Sequence, residues 1–229
     1  GKLFLRTGVV FGFVSCMLVA FPTGDLNAKN VAKYQPASFA AMEGIFETEP
    51  AGSEIVLIGQ PNMVEKKLDN KIAVPNVLSF LTYQNWEQQI PGMDKFDKEE
   101  LPDNVPALYY SYHIMVGLGT IFIGIMAITL LFLYLKKLYG FQPLLWTILL
   151  AAPFPFIANI TGWYVAELGR QPYLVHGLLR TVDGVSPTVS SGNTLFTLLG
   201  FVALYLILGL LFLVLVGKTI YHGPQPQKH

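Results

Sequence analysis

Runs of about 18 or more mostly apolar residues leave a chain few choices, because a helix of that length spans the hydrocarbon of a bilayer. The sequence holds four such runs, at 1–22, 106–135, 143–168 and 193–217. They predict an all-α integral membrane protein with four transmembrane helices. Apolar residues make up 52% of the 229 residues and charged ones 13%, a balance outside the range of ordinary soluble domains. Lys2 and Arg6 ahead of the first run also fit a signal peptide, but no A-x-A cleavage site follows.

The segment 23–105 carries most of the charge. A connection of that length is expected to be folded and functional, with "SFAAMEGIFE" reading as a short helix inside it. A second loop covers 169–192 and a tail covers 218–229. All fifteen Asp and Glu lie in or beside the two loops, whereas Lys2, Arg6, Lys136, Lys137, Lys218 and Lys228 stand at the opposite helix ends. Loops rich in Lys and Arg stay on the cytoplasmic side, so both termini are expected there and the large loop outside. The lone Cys16 cannot form an internal disulfide, and without a C-x-x-C-H motif any haem is held by side chains alone.

The third run ends in "ITGWYVAELGRQPY". At 100° per residue, Asn159, Trp163, Glu167 and Arg170 fall within a sector of about 80° and share one face. Ionisable groups in a spanning helix turn toward a partner, a cavity or a cofactor. The spacing also suits an i, i+3 ion pair at the interface with Trp163 in the aromatic belt, and periodicity does not choose between these. Pro153 and Pro155 earlier in the run are expected to bend the helix. The second run contains "YYSYHIMVGLGTIFIG", where Met115 precedes Gly117 and Gly119. A thioether can ligate haem iron, and a methionine in an apolar helix can equally be core filling. His113 lies about 200° round the helix from Met115, so one straight helix does not present both to a single iron.

"SYHIMVGLG", "GWYVAELGRQPY" and "QPASFAAMEGIFET", in this order and topology, resemble the C-terminal half of subunit I of the cytochrome bd-type quinol oxidases. The resemblance covers essentially the whole chain. It implies the last four helices of a nine-helix subunit, as a split or cleaved half. It also implies low-spin haem b, high-spin haem b and haem d, or a second high-spin haem b, with quinol as substrate. Met115 becomes an axial ligand of the low-spin haem and Glu167 a ligand of a high-spin haem. Arg170 neutralises propionates, Trp163 is an electron-transfer contact and His113 belongs to the haem surroundings. The long loop becomes the quinol site, with Gln35, Ser38, Glu43 and, as a weaker match, Asp25. Glu43 is the proton acceptor, relayed outward by Glu47 and Glu49.

The implied partners are the N-terminal half of subunit I, subunit II and a small single-helix subunit. The implied location is a bacterial or archaeal cytoplasmic membrane. Two residues depart from the family pattern: Ser38 stands where lysine is usual and His113 where arginine is usual. Lys33 is a candidate to replace the missing ammonium, and His113 brings a group that titrates near neutrality. The loop lacks the extended insertion of long-loop members. His176, His222 and His229 are expected in packing or solvated roles. Two other readings stay open: a haem-bearing electron-transfer subunit without oxygen reduction, and a cofactor-free transporter or channel half whose Asn159, Glu167 and Arg170 line a polar path.

Overall fold

The computed structural model describes residues 1–223, so Lys228 and His229 of the tail lie outside the described residues. Among the described residues, four helical stretches are long and apolar enough to cross a membrane: Lys2–Tyr34, Val105–Tyr134, Gln142–Arg170 and Ser191–His222. The chain divides into two compact units, Gly1–Asp183 and the part from Gly184 onward.

The first span is α1 (Lys2–Leu18), a six-residue π-helical segment (Val19–Gly24) and α2 (Asp25–Tyr34) in continuous succession. The sequence reading ends this helix at 22, but the chain stays helical to Tyr34. Pro22 lacks an N–H and its ring crowds the carbonyl four residues back, so the backbone widens there. The Thr23 hydroxyl then donates to the carbonyls of Val19 at 2.7 Å and Leu18 at 3.2 Å, so these acceptors remain satisfied. Asp25 accordingly starts a helix instead of a loop.

The segment after α2 holds α3 (Pro36–Glu43), a hairpin of β1 (Ile55–Asn62) and β2 (Lys67–Val74), and α4 (Val77–Tyr83). The strands pair antiparallel from Ile55↔Val74 to Asn62↔Lys67. The Asn62 side-chain oxygen accepts from the amides of Val64 and Glu65, closing the turn. Past α3, the Met93 amide bonds the Ile45 carbonyl at 2.8 Å, and Asp94 accepts from the Thr48 amide and hydroxyl at 2.9 and 2.7 Å. That hydroxyl bond is the main reason the Asp94 carboxyl lies below its ordinary pKa. The segment is therefore a folded body stitched back on itself.

The second span is α5 (Val105–Tyr134), capped by the Asn104 side chain accepting from the Ala107 amide at 3.1 Å. The third is broken at Ala152–Pro153 into α6 (Gln142–Ala151) and α7 (Phe154–Arg170), the prolines interrupting the backbone ladder as expected. A short pairing of β3 (Tyr173–Val175) with β4 (Leu179–Arg180) follows. In the second unit, α8 (Ser191–His222) starts on Ser190, whose hydroxyl accepts from the Asn193 amide at 3.3 Å.

The core of the first unit lies where the loop meets the spans. All of Ala37 to Glu43 is buried, and Phe39, Ala40, Ala41 and Met42 pack with Ile90, Met93, Val105 and Leu108, flanked by Val165 and Leu168 of α7. Thus α3 is a core helix wedged against α5 and α7. Gly44 ends it at φ +73°, and a Cβ there would sit 2.7 Å from the Tyr109 ring. Gly44→Ala is expected to destabilise the loop by about 1–3 kcal/mol. The check is faster limited proteolysis of the purified protein between residues 44 and 105, with far-UV helicity unchanged.

Candidate functional site

The α7 stripe stands as the periodicity predicts, with Val165 and Leu168 turned to the core and Asn159, Trp163 and Arg170 exposed. Glu167 and Arg170 are bonded to each other, each side chain about two-fifths exposed. The ion pair and the outward-facing stripe therefore coexist. Trp163, 61% exposed, packs edge-on against Tyr164.

Met115 on α5 reaches α7. A Cβ on Gly162 would come within 2.9 Å of the Met115 sulfur, so glycine at that position lets the thioether lie against the residue preceding Trp163. Beyond it on α5, a Cβ at Gly117 or Gly119 would meet nothing within 4 Å. Gly119, one turn on from Met115 and near the same face, thus leaves open space beside the sulfur, whereas Gly117 lies about 200° round the helix. A thioether, a carboxylate and a guanidinium on adjoining faces of two packed helices fit haem by their chemistry: two iron donors and a fork for propionates.

His113 points elsewhere. Its Nδ1 lies 2.9 Å from the Tyr109 carbonyl and its Nε2 3.2 Å from the Val56 carbonyl, so the ring ties β1 to α5. It also stacks on Tyr109 at 3.9 Å.

The α3 helix brings the loop residues to the spans. The Ser38 hydroxyl, buried, donates to the Gly169 carbonyl at 2.5 Å, one residue before Arg170 and two after Glu167. Ser38→Ala is expected to lower the stability of the assembled protein by about 1–2 kcal/mol, because a buried carbonyl loses its donor. Thermal unfolding in detergent reads this out.

At the other end of α3, Glu43 is 3% exposed and its Oε1 accepts the Tyr112 hydroxyl at 2.5 Å. Burial pushes the Glu43 carboxyl up to about 7, with the Tyr112 bond pulling the other way. Glu43 forms part of the wall of a cavity of about 460 Å³ that also meets Glu49, Ser53, Glu54, Leu68 and Lys71. Lys71 is paired with Glu54. Burial and then the Glu54 charge raise the Glu49 carboxyl.

Gln35 forms the joint between α2 and α3 and is half-buried. Asp25 pairs with Lys29 at 2.6 Å and borders a separate, smaller pocket with Phe80, Leu81 and Gln84. Lys33 is exposed and lies over the Tyr34 ring at 5.0 Å. The structure thus brings Ser38 and Glu43 to α5 and α7, while Asp25 lines a different pocket. Sequence reasoning missed Tyr112. Its partner lies 69 residues away, and the only local signal is a phenol one turn before Met115.

Residues 2–224 match the family described as "Cytochrome bd terminal oxidase subunit I". The chain is similar to "Cytochrome bd ubiquinol oxidase subunit 1" of Bacillus subtilis (strain 168), 32% identical over 215 residues, covering 90% of this chain and 46% of that relative. A "Putative cytochrome bd menaquinol oxidase subunit I" of the same organism is 31% identical over 207 residues, covering 90% and 45%. "Cytochrome bd-II ubiquinol oxidase subunit 1" of Escherichia coli (strain K12) is 23% identical over 281 residues, covering 95% and 54%. Among solved structures, that of the bd oxidase from Geobacillus thermodenitrificans superposes with a TM-score of 0.73 at 26% identity, covering 97% of this chain and 49% of that one. The chain therefore spans about half the length of the curated relatives it matches.

Proposed function

The chain belongs to the cytochrome bd terminal oxidase subunit I family, and from that premise we propose that it is the C-terminal half of a membrane quinol:oxygen oxidoreductase subunit. Its part is to take quinol at α3 and to hold haem on α5 and α7. One observation carries this reading: Glu43, buried with a carboxyl near neutrality, is hydrogen-bonded to Tyr112, three residues before Met115 on the same helix. The hydroxyl partner of the proton acceptor and a candidate haem ligand are thereby one helical turn apart on α5.

Quinol oxidation releases protons together with electrons. A carboxyl at about 7 accepts a proton and gives it up again at neutral pH, which suits a general base. Gln35 and Ser38 shape the near end of the same helix, and Asp25 would act from its own pocket at the edge of the site. The cavity bordered by Glu49 and Glu54 gives the proton a polar way out.

Met115 would hold the low-spin haem b and Glu167 one of the high-spin haems, b or d, with Arg170 beside them, while His113 stays tied between β1 and α5 away from Met115. Arg170, beside Glu167, would offer its fork to propionates, and Trp163 would be an electron-transfer contact. Bound haem supplies the one-electron carriers and the iron at which oxygen becomes water. The N-terminal half of subunit I, subunit II and a small single-helix subunit complete the assembly, with α3 on the outer side of a cytoplasmic membrane and both termini inside.

The test is to purify the complex, record its reduced-minus-oxidised spectrum and follow oxygen uptake with quinol as donor. Haem bands and uptake are expected together. An intact complex without haem defeats the reading, and haem without oxygen uptake reduces the chain to an electron-transfer subunit.

A further inference from the structure

We propose that Tyr112 is the positioning residue of the quinol site, its hydroxyl fixing which oxygen of Glu43 is free to receive the substrate's proton. The inference rests on the reading of Glu43 as the group that accepts that proton.

The two residues are brought together by independent packing. Glu43 is the last residue of α3, held between a fully buried helix on one side and Gly44 on the other. Gly44 is pressed against Tyr109, whose ring leaves no space for a Cβ. From the same helix, Tyr112 comes one turn later and places its hydroxyl 2.5 Å from Oε1. Tyr109 does not share the task, because its own hydroxyl, though buried, has no partner among the described residues. With Oε1 occupied by a donor, a proton arriving from a quinol hydroxyl is left Oε2: the substrate O–H breaks, the Oε2–H forms, and the proton then leaves by the cavity. The electrons follow the route to haem proposed above.

The groups around Glu43 are Tyr109 and Tyr112 from α5 and, across the cavity, Glu47, Glu49, Glu54, Glu65, Lys66, Lys67 and Lys71 from the loop. The residues of α7 packed against the core beside α3 are the apolar Val165 and Leu168. Lys71 is engaged by Glu54 and Lys67 by Glu65. Among the described residues Tyr112 is therefore the one group directly bonded to the carboxylate, and a hydrogen bond to the charged form favours that form.

The experiment is the pH profile of quinol oxidation by the assembled oxidase carrying Tyr112→Phe, with Glu43→Gln in parallel. Removing the hydroxyl should move the acid limb of kcat/KM upward by about one to two pH units. At pH 6.5 the variant is then about tenfold slower, while above pH 9 it approaches the parent. The reduced-minus-oxidised spectrum and the low-spin haem potential should not change. An unmoved limb overturns the proposal, as does a uniform loss at every pH accompanied by an altered haem spectrum, since that marks a packing role next to Met115.

If Tyr112→Phe fails to assemble, 3-fluorotyrosine at position 112 keeps the ring and gives a stronger donor. It should move the limb downward, and an unmoved limb again overturns the proposal. Should Glu43→Gln retain full quinol oxidation, the reading of Glu43 itself falls, an outcome distinct from failure of the Tyr112 variants alone.

Discussion

Met115→Leu is expected to erase the low-spin haem bands from the reduced-minus-oxidised spectrum of the assembled oxidase and to lower quinol-driven oxygen uptake by more than about 100-fold. Changes in the outer shell of metal sites already take 10–100-fold, and this one removes a proposed ligand. The substitution is chosen because leucine nearly conserves volume, and such swaps in a packed region usually cost less than about 1.5 kcal/mol. Against Gly162, where the thioether lies close to the backbone, leucine keeps an apolar contact and gives up only the sulfur lone pairs. Helicity, assembly and the high-spin bands should therefore survive. An unchanged low-spin spectrum and potential would make Met115 a packing residue and shift the search for the ligand to another helix.

How much of this was legible beforehand follows from how local each signal is. The four spans are a property of apolar length, which a window of 20 residues contains, and all four are present. The α7 stripe is a property of 3.6-residue periodicity and likewise survives, preceded by a break in the helix at Ala152–Pro153. The extent of the first helix was not legible, because Pro22 reads as a stop and the compensating bonds come from a threonine hydroxyl and a widened backbone turn. The β1–β2 hairpin hid for a different reason. "SEIVLIGQP" is short and irregular, with register shifts at Val56/Ile58 and Ile58/Gln60, so alternation does not announce a strand.

The site divides in the same way. Glu43 and Glu167 were picked out by residue type within a motif, whereas what each one touches depends on contacts across the fold. Glu43 meets a phenol 69 residues away, and Ser38 meets a carbonyl 131 residues away. Ser38 is the instructive case, because at a position where the resemblance leads one to expect a lysine the structure has a small hydroxyl, buried and serving as a tie between α3 and the end of α7. An exposed Lys33 stacked on Tyr34 is not in that position.

Glu43→Gln is expected to separate function from stability. Loss of a general base lowers the rate of proton transfer by about 10²–10⁴-fold, and quinol-driven oxygen uptake should fall by that order with both haem signals retained. Folding should respond in the opposite sense. Free of the fold, the carboxyl titrates at 4.5; within it, burial has raised this to about 7, so across that window the folded chain holds a proton that the unfolded chain has released. Stability contributed by this group is full below 4.5 and declines as pH rises to about 7, by roughly 3 kcal/mol in all, then stays level. Glutamine carries no charge to desolvate, and its amide oxygen can still accept from Tyr112. The variant should therefore lose that slope and unfold at a higher temperature than the parent above pH 7, as expected where a site keeps a destabilising group for its chemistry. Thermal unfolding followed from pH 5 to 8.5, beside oxygen uptake at the same pH values, measures both. A variant that keeps parental uptake, or one that keeps the parental slope, would show that the buried carboxyl is not the group set aside for the substrate's proton.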